Sequence, residues 1–364
     1  RDHWHSDPEK DDGGFSLELI NPQNPCLGKE NWSTSEHFCG GSPGQLNSIF
    51  DEFDFPLRIL RVCAPDKDRI KLVFSQSMHP GMSMSPGIFS INHNMGAIEA
   101  ILPADPWFTS FILYPQEELS PDLVYEISCN SFIYNCAEDS IFLSEDLFVG
   151  LPQPGEWNDI VINEVLFDPF PGGCDFIELY NRSDGVISLA GMKIGSVQHS
   201  PPSPPDTSFL IIRNDCLAML PGTYMAISEN NYGIEQFYDC PDIKSLYFSE
   251  DLPSFNKESG HIIVVSSKGE LLDAFSYRED MHYPLLNASK GVSLERIYFD
   301  GATQDVNNWH SASFRSGFAT PGYRNSQYSD RSEDNSPIHV FPKIFTPGYD
   351  GIHDYISIHY HFTD

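Results

Sequence analysis

One ten-residue pattern occurs twice in this chain, at a fixed spacing. GGFSLELINP at residues 13–22 matches KGVSLERIYF at residues 290–299, so that Gly14 and Gly291 lie 277 positions apart. A spacing this long indicates a duplicated module, because the unit of a solenoid repeat is only about 20 to 50 residues long. The fold therefore has to accommodate two related modules.

The match continues outside the ten residues at the same offset. His5 and Trp32 flank the first copy as His282 and Trp309 flank the second. Both copies end in turn-like segments, GGSPGQLNS at 40–48 and GFATPGYRNS at 317–326. The offset between these two segments differs by one residue from the offset of the rest, and surface turns tolerate such an insertion.

The second copy has more strand-like sequence before it than the first. That sequence begins near Asp159, and subtracting 277 from 159 places the equivalent start 118 residues before the numbering begins. We therefore expect residues 1–50 to be the C-terminal part of a module that starts before Arg1. The apolar side chains of residues 1–50 then lack the sheet that would face them, and one or two strands alone are only marginally stable in water.

This expectation makes a prediction about burial. Leu17 and Trp32 of the first copy are predicted to be more exposed than Leu294 and Trp309 of the second, which lie in a full sandwich.

Composition excludes several functional classes. The chain has 364 residues and 52 Asp plus Glu against 21 Lys plus Arg, a net charge of -31. Such an acidic chain repels phosphate backbones, so nucleic acid is excluded as a direct partner. No apolar run approaches the roughly 18 residues of a membrane helix, and we predict no membrane span in this segment.

Short runs rich in branched and aromatic residues alternate with Gly- and Pro-rich turns, and helical periodicity is nearly absent. Many short strands at this spacing are typical of β-sandwiches. We predict an all-β chain of tandem immunoglobulin-like β-sandwiches. The predicted strands are DRIKLVFS (68–75), SFILYP (110–115), LVYEISC (123–129), DIVINEVLF (159–167), DFIELYN (175–181), TYMAIS (223–228) and HIIVVSS (261–267).

Six motifs follow one another in residues 157–327: INEVLFDPFPGGCDFIELYN (162–181), SLAGMKIG (188–195), LPGTYMAIS (220–228), GVSLERI (291–297), NWHSAS (308–313) and TPGYRNS (320–326). With these motifs, residues 157–327 resemble the lamin-tail domain, in the secreted form common in Bacteroidetes, and residues 1–50 resemble the C-terminal part of the same domain. The resemblance implies an immunoglobulin-like sandwich with no catalysis of its own.

Two further segments resemble other Ig-like families. Residues 54–152, with IKLVFSQSM at 70–78 and ELSPDLVYEISC at 118–129, resemble the bacterial Ig-like domain of surface-layer and envelope proteins. With HVFPKIFTPGYDGIHDYISIHYHF at 339–362, residues 338–364 resemble the beginning of the Ig-like domain that ends many gliding-motility-associated proteins. That last resemblance implies type IX secretion and a cell-surface location outside the outer membrane.

Two groups of residues are candidate metal ligands. Asp350 and Asp354 flank a turn and are a candidate calcium site. Calcium is the one cofactor that the sequence suggests. A Ca²⁺ loop, however, usually supplies more than two carboxylates. The alternative, which we favour, is a turn held by an Asx hydrogen bond. His359 and His361 alternate on one strand face, and without a third ligand we interpret them as exposed strand histidines.

Paired carboxylates are the remaining candidate for chemistry. Glu164 and Glu178 lie in predicted strands, where two such groups can serve as acid and base. Their match to lamin-tail positions favours structural hydrogen bonding, and Glu295 and Glu18 fit the same interpretation. We name no catalytic residue. Trp32 and Trp309 are interpreted as packing residues.

The cysteines indicate an oxidising compartment, because local pairs in a β-sandwich suit the cell exterior. We predict disulfides between Cys26 and Cys39 and between Cys129 and Cys136, each closing a short loop. The others receive no predicted pairing: Cys63, Cys174, Cys216 and Cys240.

These observations predict a non-catalytic structural or adhesive segment of a secreted cell-surface protein, whose partner is a surface protein or a glycan. The alternative is that the modules are accessory to an extracellular hydrolase or nuclease whose catalytic domain lies outside this segment. The sequence upstream of Arg1 would distinguish the two.

Overall fold

The protein is described from a computed structural model in which the chain forms two compact units, Arg1–Leu151 and Pro152–Asp364. The structure describes residues 5, 10, 13–51, 56–81, 85–142, 147–198, 206–230, 232–329, 338–342, 344–348 and 352–360. Within those ranges the α-helix α1 (Tyr232–Glu235) has four residues, and no described helix is long and apolar enough to cross a membrane.

In its described residues, the first unit contains two facing sheets and two hairpins. Its strands are β1 (Leu17–Leu19), β2 (Trp32–Thr34), β3 (Ile59–Asp66), β4 (Arg69–Phe74), β5 (Phe89–Ile91), β6 (Ile98–Pro103), β7 (Ser110–Pro115), β8 (Val124–Cys129), β9 (Ile133–Tyr134), β10 (Ser140–Ile141) and β11 (Leu147–Gly150). Short 3-10 helices span Pro25–Asn31 and Pro86–Ile88. The sheets have the orders β3-β4-β7-β6 and β11-β8-β5, and the hairpins are β1-β2 and β9-β10.

The core of the first unit lies between its two larger sheets. On β4, Ile70, Leu72 and Phe74 alternate with more exposed residues, so one face of the strand is buried. They share a hydrophobic cluster with Tyr125 and Ile127 of β8, in the other sheet. This is the two-layer packing of a β-sandwich.

The second unit is the larger one. Its strands are β12 (Ile160–Leu166), β13 (Phe176–Asn181), β14 (Ile187–Ser188), β15 (Lys193–Gln198), β16 (Asp206–Ile211), β17 (Ala218–Met219), β18 (Tyr224–Ser228), β19 (Leu246–Phe248), β20 (Ser259–Val265), β21 (Leu271–Arg278), β22 (Leu294–Arg296), β23 (Trp309–Ser311), β24 (Ile338–Phe341) and β25 (Ser357–Tyr360). Besides α1 it has 3-10 helices at Ile243–Ser245, Glu279–Met281, Val306–Asn308 and Phe314–Ser316.

A sheet with the order β19-β18-β13-β12-β22-β23 and a sheet with the order β16-β15-β20-β21 enclose the main core of this unit. All pairs are antiparallel except the parallel pair β18-β19. Every residue of β12 is buried because strands flank it and both of its faces are covered. The predicted all-β class is confirmed, whereas the module boundaries at 1–50, 54–152, 157–327 and 338–364 stay predictions.

The sequence repeat is also a repeat of structure. Leu17 pairs with Thr34 and Leu19 with Trp32, and at the same offset Leu294 pairs with Ser311 and Arg296 with Trp309. The two hairpins therefore have the same register.

Polar contacts repeat at the same offset. The Asn31 side chain bonds the backbone N–H and carbonyl of Asn21, both at 2.7 Å, and Asn308 bonds those of Tyr298 at 2.8 and 3.0 Å. His5 Nδ1 lies 3.1 Å from a Thr34 hydroxyl, as His282 Nδ1 lies 3.0 Å from the Ser311 hydroxyl.

The surroundings of the two copies differ as the sequence predicts. Trp32 is 39% exposed and Trp309 4%, while Leu17 is half-buried and Leu294 fully buried. Trp309 stacks on the Phe275 ring with centroids 3.8 Å apart, so its packing role is supported. The predicted difference in burial is confirmed.

Candidate functional site

Three carboxyl groups meet inside the second unit. Glu164 on β12 stands opposite Glu178 on β13 and opposite Glu295 on β22. Residues paired across neighbouring strands project to the same face, so the sheet register brings the three groups together. All three side chains are fully buried.

Glu164 and Glu295 share one hydroxyl group. Thr320 Oγ1 lies 2.9 Å from Glu164 Oε2 and 2.9 Å from Glu295 Oε1, while the other oxygen of Glu164 accepts from the Ser293 hydroxyl and, at 2.9 Å, from the Thr320 N–H. A threonine hydroxyl has one proton, so it can donate to only one of the two carboxyls. Both contacts are satisfied when Glu164 is protonated and donates to Thr320, which in turn donates to Glu295.

The pKa of Glu164 agrees with that assignment. Burial, followed by the nearby charge of Glu295, raises the pKa of Glu164 from 4.5 to about 8. Burial raises the pKa of Glu178 well above its usual value, with the charge of Glu164 acting in the same direction. Two ionised carboxylates that contact the same hydroxyl group repel each other strongly in a dry interior, so either Glu164 or Glu295 holds a proton.

The other two carboxyls are also held by the chain itself. The Asn163 amide donates to Glu178 Oε1 at 2.7 Å, and the Gly322 N–H donates to Oε2 at 2.6 Å. Glu295 Oε2 accepts from the Ser326 hydroxyl and the Gln327 N–H, both at 2.8 Å. The carboxyls thus hold the segment after β23 against the sheet.

A second buried polar cluster lies beside the first. The Arg296 guanidinium donates to the Ile162 carbonyl at 2.7 Å, the Gly301 carbonyl at 2.8 Å, the Thr303 hydroxyl at 2.6 Å and Asp273 at 3.2 Å. Arg296 is 0% and Asp273 2% exposed. Because Arg296 is on β22 and Asp273 on β21, this ion pair joins the two sheets of the sandwich.

The arrangement is suited to cross-linking strands rather than to acid–base chemistry. A general acid or base has to reach the proton of a substrate, and these carboxyls are closed off from solvent by their own hydrogen-bond partners. The geometry supports the structural interpretation of Glu164, Glu178 and Glu295. The sequence did not reveal the parts played by Arg296, Asp273 and the hydroxyls. The polar residues of SLERI and TPGYRNS were a signal for the hydroxyls, whereas the pairing of Arg296 with Asp273 left none.

In the first copy, Glu18 is held by hydroxyl and backbone N–H donors as its equivalent Glu295 is in the second copy. The Ser42 hydroxyl donates to Glu18 Oε1 at 2.6 Å, and the Ser48 hydroxyl and N–H both donate to Oε2 at 2.7 Å. Burial acts to raise the pKa of Glu18, but hydrogen bonds from Ser42, Ser48 and Ser35 outweigh it and lower the pKa to about 2. Glu18 is therefore ionised.

The predicted disulfides are wrong. Cys26 is bonded to Cys136, 110 residues away, whereas Cys39 is an exposed free thiol and Cys129 is a buried thiol that donates to a backbone carbonyl. The reason is the placement of the 3-10 helix at 25–31. The Ser77 N–H donates to the Cys26 carbonyl at 2.7 Å, and the Ser77 carbonyl accepts from the Cys136 N–H at 2.9 Å, so one residue holds both cysteines in place.

The four cysteines without a predicted pairing fall into two kinds. Cys174 and Cys240 are half-buried free thiols, and burial raises the pKa of each. Cys63 and Cys216 are disulfide-bonded.

Replacing both Cys26 and Cys136 by serine is expected to lower the free energy of unfolding of the first unit by about 2 to 4 kcal/mol. The bond closes a long loop and so restricts the unfolded chain. Denaturant unfolding measures the change. Cys39→Ser is the matched control, expected to stay within about 0.5 kcal/mol of the parent. Equal effects of the two changes would contradict the assigned bond.

The candidate metal sites stay predictions, because two of their ligands lie outside the described residues. Asp354 Oδ1 accepts from the Gly348 N–H at 2.9 Å, as in a hydrogen-bonded turn. Asp350 and His361 lie outside the described residues, and His359 is on β25 opposite His339. No group of three or more His, Cys, Asp or Glu side chains in the described part of the chain could hold a metal ion.

Calcium is accordingly expected to leave the thermal unfolding midpoint unchanged. A ligand that binds only the folded state raises the midpoint, and a single hydrogen-bonded carboxylate does not complete a Ca²⁺ shell. Calorimetry with excess Ca²⁺ and with a chelator measures the effect, and Asp354→Asn is the matched variant. A rise in the midpoint that Asp354→Asn abolishes would contradict this expectation.

A shallow cleft of about 490 Å³ lies on the first unit, lined by His79, Ile88, Phe132 and Tyr134 among others. Phe132 is 50% and Tyr134 47% exposed. Exposed aromatic side chains of this kind can contact a protein or a sugar.

Comparisons with known proteins give distant likenesses only. No family model matches the chain, and no curated protein matches it. Among solved structures, the N-terminal part of the bacterial S-layer protein SbsC is 10% identical, with a TM-score of 0.24 over 62% of this chain and 44% of that one. The chain therefore spans less than half the length of that S-layer structure.

Other solved structures are similar at the same level. The adhesin InvE of Yersinia pseudotuberculosis is 9% identical, with a TM-score of 0.19 over 66% of each chain. An L,D-transpeptidase of Mycobacterium smegmatis is 8% identical, with a TM-score of 0.19 over 50% of this chain and 84% of that one. The likenesses include β-domains of surface proteins and an enzyme, and none of them assigns a family or an activity.

Proposed function

We propose that this chain is a non-catalytic structural or adhesive segment of a secreted cell-surface protein, built from lamin-tail-like and Ig-like modules. The carboxyl groups that sequence reasoning offered for chemistry are enclosed by hydrogen bonds from the chain itself, and this observation carries the proposal. Glu164, Glu178 and Glu295 fasten strands and a connecting segment to one another. A rigid, internally bonded sandwich is what a spacer between a cell and its surroundings requires.

The compartment is part of the proposal. The Cys26–Cys136 disulfide favours an oxidising location, because cytosolic thiols are kept reduced. A net charge of -31 favours the solubility of a surface protein. The resemblance of residues 338–364 to a gliding-motility-type C-terminal domain supports export by type IX secretion.

Two measurements test this function. Antibody against the chain is expected to label intact cells of the source organism, and purified chain is expected to show no turnover of DNA, glycan, ester or peptide substrates. Turnover that disappears in Glu164→Gln would overturn the non-catalytic assignment. Labelling only after cells are broken open would overturn the surface location.

An adhesive role would use the aromatic cleft. Binding of the chain to intact cells or to a glycan array, weakened by Phe132→Ala with Tyr134→Ala and unaffected by Phe314→Ala, would support adhesion. Phe314 is a suitable control because it is 61% exposed and belongs to the second unit. Without such binding, the spacer role alone would remain.

A further inference from the structure

We propose that the turn between β6 and β7 inserts into the interface of a lipid bilayer whose headgroups carry no net charge. A structural or adhesive surface role requires no lipid contact, so this proposal and the proposed function can fail separately. Three features carry it: the side chains that the turn exposes, the hydrogen bonds within the turn, and the charge of the chain.

The exposed residues of this turn are all apolar. Trp107 is 74% and Leu102 48% exposed. In a chain in which 20% of the residues are charged, this run of exposed side chains bears no charge. Exposed apolar patches mark sites of contact with a partner or a membrane. The exposed residues, which we call the apolar tip, are Leu102, Pro103, Ala104, Pro106 and Trp107.

The charged group of the turn is bonded within it. Asp105 Oδ1 accepts from the N–H groups of Trp107 at 2.8 Å and Thr109 at 3.2 Å. Asp105 Oδ2 accepts from the N–H and the hydroxyl of Ser110 at 2.7 and 2.6 Å, and from the Thr109 hydroxyl at 3.1 Å. The Phe108 N–H donates to the Asp105 carbonyl at 3.3 Å. Every backbone N–H from Trp107 to Ser110 is therefore satisfied inside the turn.

The turn is also held in shape. Phe108 has a φ of 58°, in the left-handed region that a bulky residue rarely adopts. Its ring packs against the core of the first unit and lies 6.2 Å from the Phe111 ring, and its carbonyl accepts from the Met78 N–H at 2.9 Å. Strain of this kind persists where surrounding contacts enforce it, and it is common at binding sites. Trp107 is thus presented on a fixed backbone, which lowers the entropy lost on binding.

A lipid interface fits the apolar tip better than a sugar or a protein does. A sugar needs several placed polar groups around the ring on which it stacks, and the polar groups of the turn are already bonded to Asp105. A specific protein interface covers about 800 Å² on each side and has about one hydrogen bond per 100 to 200 Å². The apolar tip is too small for the first and has few free polar groups for the second.

A bilayer interface has simpler requirements. Backbone donors that enter it have to be satisfied internally, as those from Trp107 to Ser110 are. Tryptophan is enriched at this depth because its ring is apolar and its indole N–H can donate to a polar headgroup. The apolar tip meets both requirements.

The charge of the chain selects the headgroup. The net charge is -31, and the apolar tip contains no lysine or arginine. Anionic lipids give a membrane a negative surface potential, which attracts basic segments and repels acidic ones. Zwitterionic lipids, such as phosphatidylcholine, avoid that repulsion. The ligand is therefore a neutral lipid surface.

Flotation of the full chain with phosphatidylcholine vesicles tests the proposal. The parent is expected to float with the vesicles, weakly and reversibly, because a single short tip buries little apolar area. Trp107→Ser is expected to lower the partition coefficient about tenfold or more, since it removes the largest apolar side chain of the tip. Leu102→Asp adds a charge to the tip and should lower it similarly.

Trp157→Ser is the matched control. Trp157 is 63% exposed, belongs to the second unit and is flanked by Glu156 and Asp159, so its replacement should leave flotation unchanged. Circular dichroism and the unfolding midpoint check that all variants stay folded. The proposal is overturned if the parent does not float at millimolar lipid, if neither variant of the tip floats less than the parent, or if the control loses as much.

Three further outcomes would also overturn the proposal. Stronger flotation with phosphatidylglycerol vesicles would exclude a neutral lipid surface as the preferred ligand. A concentration-dependent dimer that Trp107→Ser dissociates would show that a second copy covers the apolar tip. Binding to a glycan array that Trp107→Ser abolishes would show that a sugar does.

Discussion

Replacing Arg296 by methionine is expected to lower the free energy of unfolding of the second unit by about 3 to 5 kcal/mol. The change leaves Asp273 buried without its counter-charge and removes the donors to two backbone carbonyls and to Thr303. Denaturant unfolding followed by circular dichroism measures the loss. Adding Asp273→Leu should recover part of it, because the uncompensated charge is then removed.

The matched control for this change is Arg278→Met. Arg278 pairs with Asp280 at 2.9 Å, but the two side chains are 54% and 73% exposed. Ion pairs in solvent contribute about 0 to 1 kcal/mol, so the control should unfold almost as the parent does. Similar losses for Arg296→Met and Arg278→Met would show that the buried pair does not hold the sandwich together.

Stability of the second unit is expected to fall as the pH rises from about 6.5 to about 8. The pKa of Glu164 is 4.5 in the unfolded chain and about 8 in the folded one, so the folded state binds the extra proton and loses stability as that proton is released. Each such proton contributes about 1.4 kcal/mol per pH unit. Burial raises the pKa of Glu178 and Glu295 as well, which acts in the same direction.

Below pH 6.5, His282 changes the stability of the second unit in the opposite direction. Burial, assisted by the nearby His310, lowers the pKa of His282 from 6.5 to about 4, so its contribution is lost as the pH falls from 6.5 to about 4. The two effects oppose each other between pH 4.5 and 6.5, and the carboxyl effect alone remains above 6.5.

Glu164→Gln tests the origin of this pH dependence. Glutamine can accept from Ser293 and the Thr320 N–H and donate to the Thr320 hydroxyl, as protonated Glu164 does. We expect the variant to stay folded and its unfolding midpoint to vary less between pH 6.5 and 8. Glu250→Gln, at an exposed position, should leave the parent profile unchanged. A parent profile that rises with pH would show that Glu164 is ionised when the chain is folded.

Strand positions could be predicted where the pattern is local. The run 110–115 coincides with β7, and the run 68–75 contains β4, because branched and aromatic residues alternate there between turn residues. β3 was missed because arginine, cysteine and proline interrupt its pattern, and its irregular register with β4 matches that interruption.

The site could be predicted only in part. The repeat placed Glu18 and Glu295 at equivalent positions, and the hairpins have the same register. The partnership of Arg296 with Asp273 was out of reach, because it depends on how two sheets face each other. The same limit explains the wrong disulfides: loop length favours near neighbours, whereas the fold brings Cys26 to Cys136.

The Cys26–Cys136 bond has a mechanical consequence for a chain that is pulled from both ends. While the bond is intact, Cys26 and Cys136 cannot be pulled apart, so the chain between them cannot be drawn out to its full length. With a sequence separation of 110 between the two cysteines, roughly 360 to 400 Å of contour length is withheld from extension. A reductant would release that length, and single-molecule stretching would record the difference as a longer unfolding step.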